Sequence, residues 1–289
     1  MTESWTIKKL VDWTTDYFKK YSIEWPHLEA EILLAHALNV PRIQLYVQFE
    51  RVLKEDELKS FKALILRRSK REPIAYITGY QPFMSVNIKV TPAVLVPRPE
   101  TEKLVEVALE EAKQLKGPRV ADIGVGSGAI AVCLAKFLPE ARVFGTDLSK
   151  EAIEVAEENA QARGVADRCE FFVGDLFGPL EGHSFDIIVS NPPYIKTAEI
   201  TKLQPEIKDF EPRSALDGGE DGLKFFKEII AAAPPYLKTG GYLILEVGAG
   251  QDTEVSEMIK SSRKFEEPGS YKDLSGIKRV VKAKLLNIQ

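Results

Sequence analysis

Between residues 190 and 194 the chain reads Ser-Asn-Pro-Pro-Tyr, and this short run carries the most specific chemistry in the sequence. Asn191 and Pro192 each precede a proline, which disfavours the α region, and the two rings fix φ and remove two amide donors. What remains is a stiff corner rich in acceptors. The Asn191 side-chain oxygen and the Pro192 carbonyl can converge on the two hydrogens of an NH2 group, with the Tyr194 ring stacked on the plane behind it. An amide or aromatic amine nitrogen is a poor nucleophile because its lone pair is delocalised, the resonance that flattens a peptide bond. Two fixed acceptors favour the form in which that nitrogen pyramidalises and gains positive charge. Alignment with an electrophilic methyl can save up to roughly 7–11 kcal/mol of barrier, and an aromatic face adds about 0.5–2 kcal/mol of cation attraction. Asn191, Pro192 and Tyr194 are therefore the catalytic candidates. The bland alternative is a proline-rich exit from a strand.

Upstream, Val120 to Ala129 reads as a strand feeding a glycine-rich turn that opens a helix. Glycines there allow positive φ and close approach of a ligand, while helix amides face it. Gly124, Val125, Gly126, Ser127 and Gly128 are the candidates for holding a cofactor. Because Ala129 can stand for a third glycine, the same run satisfies a dinucleotide fingerprint, so hydride chemistry on a nicotinamide competes with methyl transfer. Asp147, nineteen residues after Gly128, ends the next apolar run and can accept from both hydroxyls of a ribose; it could equally cap the helix that follows. Asp175, after a third apolar run, can accept from the exocyclic amine of adenine while Leu176 or Phe177 covers the ring, although a turn aspartate is a fair alternative. All three features fall at the carboxyl ends of successive strands, where ligands of open α/β sheets collect. The Asn-Pro-Pro corner then favours the methyl reading, since hydride transfer has no use for it.

The elements that must position these groups are legible in outline. From residue 101 onward strands and helices alternate, which predicts a doubly wound, largely parallel α/β sheet. Arg119 to Ile123, Arg142 to Thr146, Glu170 to Val173, Phe185 to Ser190 and Tyr242 to Val247 have strand length, and Arg279 to Leu286 is expected to close the sheet edge. Ahead of them, Leu28, Ile32 and Leu38, then Leu58, Phe61, Leu64 and Ile65, carry helical periodicity and predict a small helical bundle. Between Pro73 and Pro97, Ile74, Tyr76 and Thr78 alternate, Gly79 breaks the run and Val86 to Val90 resumes it, the pattern of a hairpin linker. The expected division is 1–72 helical, 73–97 β-hairpin linker and 98–289 catalytic.

The whole pattern resembles the release-factor glutamine methyltransferases, the HemK or PrmC family. The likeness runs nearly the full chain: besides the Asn191 to Tyr194 loop it includes Glu72 to Gly79, Val96-Pro97-Arg98-Pro99-Glu100-Thr101-Glu102, and Ala215-Leu216-Asp217-Gly218-Gly219-Glu220-Asp221-Gly222-Leu223. The resemblance implies a Rossmann-like class I methyltransferase domain with a seven-stranded sheet. It also implies S-adenosyl-L-methionine as cofactor and the side-chain amide of the glutamine in the Gly-Gly-Gln loop of class 1 peptide-chain release factors as substrate. The helical domain would engage the release factor. Carried over by residue, Gly124 to Gly128, Asp147, Asp175 and Leu176 would hold the cofactor, Asn191 would touch both substrates, and Pro192, Pro193 and Tyr194 would form the glutamine pocket. Some relatives carry an aromatic residue at the position of Leu176, so plain apolar packing replaces ring stacking there. Arg98, Glu100 and Glu246 fall near the site without an assigned role.

Composition restricts the rival readings. With 44% hydrophobic and 28% charged residues in 289, the chain has material for a sizeable core. It shows no run long enough to span a membrane and no signal-peptide pattern, so a cytoplasmic location is expected, with monomer as the default. A nucleic-acid methyltransferase acting on adenine or guanine amines would use the same corner, but the net charge of −4 lacks a nucleic-acid binder's footprint. Only the cluster from Arg67 to Arg71 favours that reading, and it is expected to be a solvated helix end or a patch for the release factor or ribosome. A binding protein that kept the fold and lost catalysis would not need Asn191 and Tyr194 intact. Cys133 and Cys169 lack metal-ligand spacing and are expected to be buried, no metal is expected, and His27, His36 and His183 lie outside every motif.

Overall fold

Thr6 starts the first helix: its hydroxyl accepts from the Lys9 amide, and α1 (Ile7–Lys19) then turns Ile7, Leu10, Val11 and Phe18 to one buried face. The computed structural model describes residues 4–287. Pro26 opens α2 (Pro26–Leu38), which Asn39 ends in the left-handed conformation. With α3 (Arg42–Val47), α4 (Glu55–Ser69) and α5 (Ile74–Thr78), these helices enclose a core that includes Phe18, Leu33, Leu34, Phe61 and Ile65. This helical unit extends to Gly79 and takes in one segment from far along the chain, Gln204–Phe210, with its short helix Pro205–Lys208.

Two expectations are corrected here. Ile74 to Thr78 is one turn of helix rather than a strand: Pro73 precedes it and Gly79, at φ 82°, stops it, and five residues are too few for alternation to discriminate. The basic cluster is solvated only in part: Arg67 and Lys70 are exposed, whereas the other two cations are drawn inward. Arg68 is 4% exposed and binds both Glu29 and Glu206, Arg71 binds Glu206 at 2.7 Å, and Arg67 pairs with Glu72. These guanidiniums are consumed within the unit, tying the Gln204–Phe210 segment to it.

The second unit begins at Tyr80. Its hairpin, β1 (Tyr80–Phe83) and β2 (Val86–Lys89), lies within it. Buried Asn159 shows why. It accepts from the Lys89 amide and donates to the Lys89 and Ser127 carbonyls, at 2.7–2.9 Å, so the hairpin braces the glycine-rich turn.

The seven-stranded sheet is built from β3 (Arg119–Ile123), β4 (Arg142–Asp147), β5 (Cys169–Val173), β6 (Phe185–Ser190), β7 (Leu237–Glu246), β8 (Gly269–Lys272) and β9 (Lys278–Lys284), in the order β5-β4-β3-β6-β7-β9-β8. The first five run parallel and β9 pairs antiparallel to both β7 and β8. The edge expected at β9 therefore belongs to β8, whose Gly-Ser-Tyr-Lys sequence gives no strand signal. Helices α6 (Glu102–Ala112), α7 (Ala129–Phe137) and α8 (Lys150–Ala162) pack on the strands, α7 being apolar almost all round as a helix buried on every side must be. The chain winds from β3 to β5 in one direction and returns to β6 on the other side of β3. That reversal makes a crevice at the carboxyl ends of β3 and β6.

Candidate active site

A cavity of about 390 Å³ occupies this crevice. Gly124, Val125, Gly126, Ser127, Asp147, Asp175, Leu176, Asn191, Pro192 and Pro193 all line it; Gly128 and Tyr194 do not. Ser190, buried at the end of β6, donates to the Ile123 carbonyl at 2.6 Å and fixes the two strand ends side by side. The glycine turn hangs on β4, since the Gly124 and Val125 amides both donate to the Thr146 carbonyl.

Gly128 also has a packing task. At φ 77° a side chain there would be strained, and a Cβ would lie 3.0 Å from Ala156 Cα, so this glycine permits close packing of α8 behind the turn. Asp147 accepts from the Gly126 and Ser149 amides, both at 2.9 Å, one on each oxygen. It thus holds the turn and the amide of Ser149, the residue whose hydroxyl caps α8 by accepting from the Ala152 amide, while each oxygen keeps a second lone pair for a ligand. Leu176 faces the cavity in the left-handed conformation, its carbonyl accepting from Thr146 Oγ1. Phe177 cannot cover a ligand ring: it is buried, stacked on Tyr236 with centroids 4.8 Å apart. Asp175 is exposed at the rim.

Behind the turn, Asp122 is fully buried; Oδ2 accepts from the Ala131 amide at 3.2 Å and Oδ1 has no partner among the described residues. Burial pushes its carboxyl up to about 8. The folded protein therefore keeps a proton that the unfolded chain releases near pH 4, and stability falls as pH climbs between those values. Asp122→Asn removes this dependence. Urea midpoints of the two proteins at about pH 5 and pH 8.5 should move apart in favour of the variant at the higher pH, and a parallel decline would contradict the assignment.

The acceptor corner is supported on two sides. Asn191 Nδ2 donates to Thr101 Oγ1 at 3.2 Å, and the Tyr194 hydroxyl donates to Glu246 Oε1 at 3.3 Å. Tyr194 sits behind the corner rather than on the cavity wall because its ring packs on the core and its hydroxyl is drawn to Glu246; burial first, then the Glu246 charge, raise its phenol well above the ordinary value. The Ala215 to Leu223 motif lies alongside as a strand-like brace. The Ile195 amide donates to the Leu216 carbonyl, the Gly218 amide to the Ile195 carbonyl and the Thr197 amide to the Gly219 carbonyl, at 2.8–3.0 Å. Gln251 closes the contact by donating to the Tyr194 carbonyl.

Arg98 pairs with buried Glu211 at 2.6 Å, a structural ion pair. Nothing in the sequence marks Asn159 or Gln251, whose partners lie tens of residues away. Thr101 falls inside the quoted Val96 to Glu102 motif, yet its contact with Asn191 spans ninety residues and has no local signal. Cys133 is buried and Cys169 half-buried, and burial pushes both thiols up to about 12. His183 packs on Phe144 and Phe185 away from the cavity. Among the described residues no group of side chains is arranged to hold a metal, and no helix is long and apolar enough to cross a membrane.

Comparison with known proteins adds the family. The PrmC N-terminal domain family matches residues 9–79, and the methyltransferase small domain family matches residues 100–207. A release factor glutamine methyltransferase of Geobacter sulfurreducens is 48% identical over 279 residues, 96% of each chain. The chain belongs to the release factor glutamine methyltransferase family. A second member, from Rhodopirellula baltica, is 40% identical over 96% of this chain and 95% of its own. A methyltransferase structure from Pyrococcus furiosus, 17% identical with a TM-score of 0.51, covers 77% of this chain and 96% of that one and shows the shared class I fold. Membership of this family makes the chain an enzyme of methyl transfer and disposes of the nicotinamide reading.

Proposed function

We propose that the protein uses S-adenosyl-L-methionine to methylate the side-chain amide nitrogen of the glutamine in the Gly-Gly-Gln loop of class 1 peptide-chain release factors. One observation carries the reading: the Asn191 to Pro193 corner and the glycine turn line the same cavity, at the carboxyl ends of neighbouring strands. The residues present suit the cofactor. The cavity has the volume of small-molecule sites, Asp147 keeps a lone pair on each oxygen that ribose hydroxyls could use, Asp175 stands at the rim for an amine, and Leu176 supplies an apolar wall. When bound, the cofactor supplies a methyl group on positively charged sulfur.

The chain's own residues do the rest. Asn191 Oδ1 and the Pro192 carbonyl accept the two amide hydrogens, the proline rings hold both acceptors still, and half-buried Tyr194 stiffens the corner from behind. As the nitrogen pyramidalises its N–H bonds become more acidic, so the acceptors bind the developing charge more strongly than the ground state. The helical unit, which carries the PrmC N-terminal domain match, is assigned to engaging the release factor, and the protein is expected to act as a monomer without binding nucleic acid directly.

Mass spectrometry of a release factor incubated with the protein and S-adenosylmethionine tests this. One added methyl on the Gly-Gly-Gln glutamine is expected, whereas label transferred to nucleic acid offered in parallel, and not to the factor, would overturn it. The cofactor assignment has its own check. Asp147→Ala should weaken cofactor binding by about 1–3 kcal/mol, because ribose hydroxyls lose a partner and the turn loses its tether. Unchanged affinity by calorimetry would remove Asp147 from the site.

A further inference from the structure

Prolines at 192 and 193 stiffen the acceptor corner, but they also leave it without amide donors by which to anchor itself. The peptide that follows, between Tyr194 and Ile195, is gripped at both ends. On one side the Ile195 amide donates to the Leu216 carbonyl at 3.0 Å, and on the other the Tyr194 carbonyl accepts from Gln251 Nε2 at 3.2 Å. That nitrogen also reaches the Gly222 carbonyl at 3.4 Å, while Gln251 Oε1 accepts from the Gly248 amide at 2.9 Å. Turned over, the side-chain amide would set NH2 against an N–H and oxygen against two carbonyls, so its orientation is fixed.

Two glycines make room for it. A Cβ at Gly222, whose φ is 75°, would lie 2.6 Å from the Tyr194 carbonyl oxygen and 3.0 Å from Gln251 Nε2. One at Gly248 would lie 2.6 Å from Gln251 Oε1 and 3.1 Å from the Tyr194 ring. Three stretches of backbone, far apart in sequence, thus close on a single side chain.

We propose that Gln251 is a positioning residue for methyl transfer: its amide locks the Tyr194 carbonyl to Gly222 and Gly248, and that lock holds the Pro192 carbonyl where a substrate NH2 meets it. The proposal rests on the role given to the corner above. Gln251 does not line the cavity, so its effect must pass along the chain. Between the Pro192 carbonyl and Tyr194 lies Pro193, whose ring holds φ, and a shift of the Tyr194 backbone is handed on to the acceptor rather than absorbed by rotation. The cofactor side is independent, because the glycine turn hangs on β4.

Gln251→Met keeps the length of the side chain and removes its polar contacts. Gln251→Glu keeps an acceptor for the Gly248 amide and sets its other oxygen against two carbonyls. In steady state with release factor each is expected to lower kcat about 10–100-fold, with KM for the factor and the calorimetric Kd for S-adenosylhomocysteine within about threefold of wild type and full binding stoichiometry. General loss of stability would instead lower turnover and stoichiometry together. Should one variant fail to fold, the other decides alone, with full stoichiometry reporting an intact cavity. Wild-type kcat in either variant, or a fall in kcat matched by a fall in bound S-adenosylhomocysteine, would overturn the proposal. Asn191→Ala in the same assay separates the two levels: if it too turns over normally, the reading of the corner falls; if it is inactive while the Gln251 variants are not, only this inference does.

Discussion

Replacing Asn191 with alanine is expected to lower kcat by about 10²–10³-fold, the scale of losing one preorganised transition-state partner. The affinity for S-adenosylhomocysteine should change little, because the glycine turn, Asp147 and Leu176 line the cavity independently of this side chain. The split follows from where the charge develops. In the ground state the substrate amide is planar and nearly neutral, and one acceptor more or less changes its binding modestly. In the transition state the nitrogen carries part of the methyl cation's charge, and both of its hydrogens need an acceptor. Steady-state kinetics with calorimetry on the same preparation measures both quantities. Equal turnover in variant and wild type would refute the role given to Asn191.

The second large effect is expected from a residue that touches no ligand. A Cβ at position 218 would lie 2.7 Å from Tyr194 Cα and 2.8 Å from the Pro193 carbonyl oxygen, contacts with backbone that cannot rotate away. Gly218→Ala must therefore push the acceptor corner or the brace beside it, and a displacement of even an ångström there should cost about 100-fold in kcat. Cofactor affinity should survive, since residues 124–128 are not moved. Gly178→Ala makes a fair control: a Cβ there meets nothing within 4 Å and its φ is ordinary, so activity should stay at the wild-type level. Matched kcat values for Gly218→Ala and Gly178→Ala would show that the brace does not set the corner's position.

These expectations depend on features that differ in how visible they are from sequence. The parallel strands were legible because buried strands write continuous apolar runs, and the glycine turn and Asn-Pro-Pro corner because the residue types themselves dictate the local backbone. Short or polar elements were not: Ile74 to Thr78 is too brief to show its period, and β8 has Tyr271 as its one apolar residue. Side-chain direction was the other blind spot. Leu176 and Phe177 are neighbours, yet one lines the cavity and the other stacks on Tyr236, a choice set by the left-handed backbone at Leu176 and by the core beneath. Arg68 reads as a surface charge until Glu29 and Glu206, 39 and 138 residues away, are found against it. Thr101 and Glu246 were visible, one inside a quoted motif and the other near the site, but their contacts with Asn191 and Tyr194 exist only through the fold. The Ala215 to Leu223 motif was visible as a pattern; its reason, the absence of room for a Cβ against Tyr194, was not.

The most direct test of the account is a crystal structure of the protein with S-adenosylhomocysteine and a peptide containing Gly-Gly-Gln. The glutamine side-chain nitrogen should lie about 3 Å from both Asn191 Oδ1 and the Pro192 carbonyl oxygen, with one face of its amide plane turned toward the cofactor sulfur. A glutamine amide bound elsewhere in the cavity, with the Asn191 oxygen turned from it, would contradict the account.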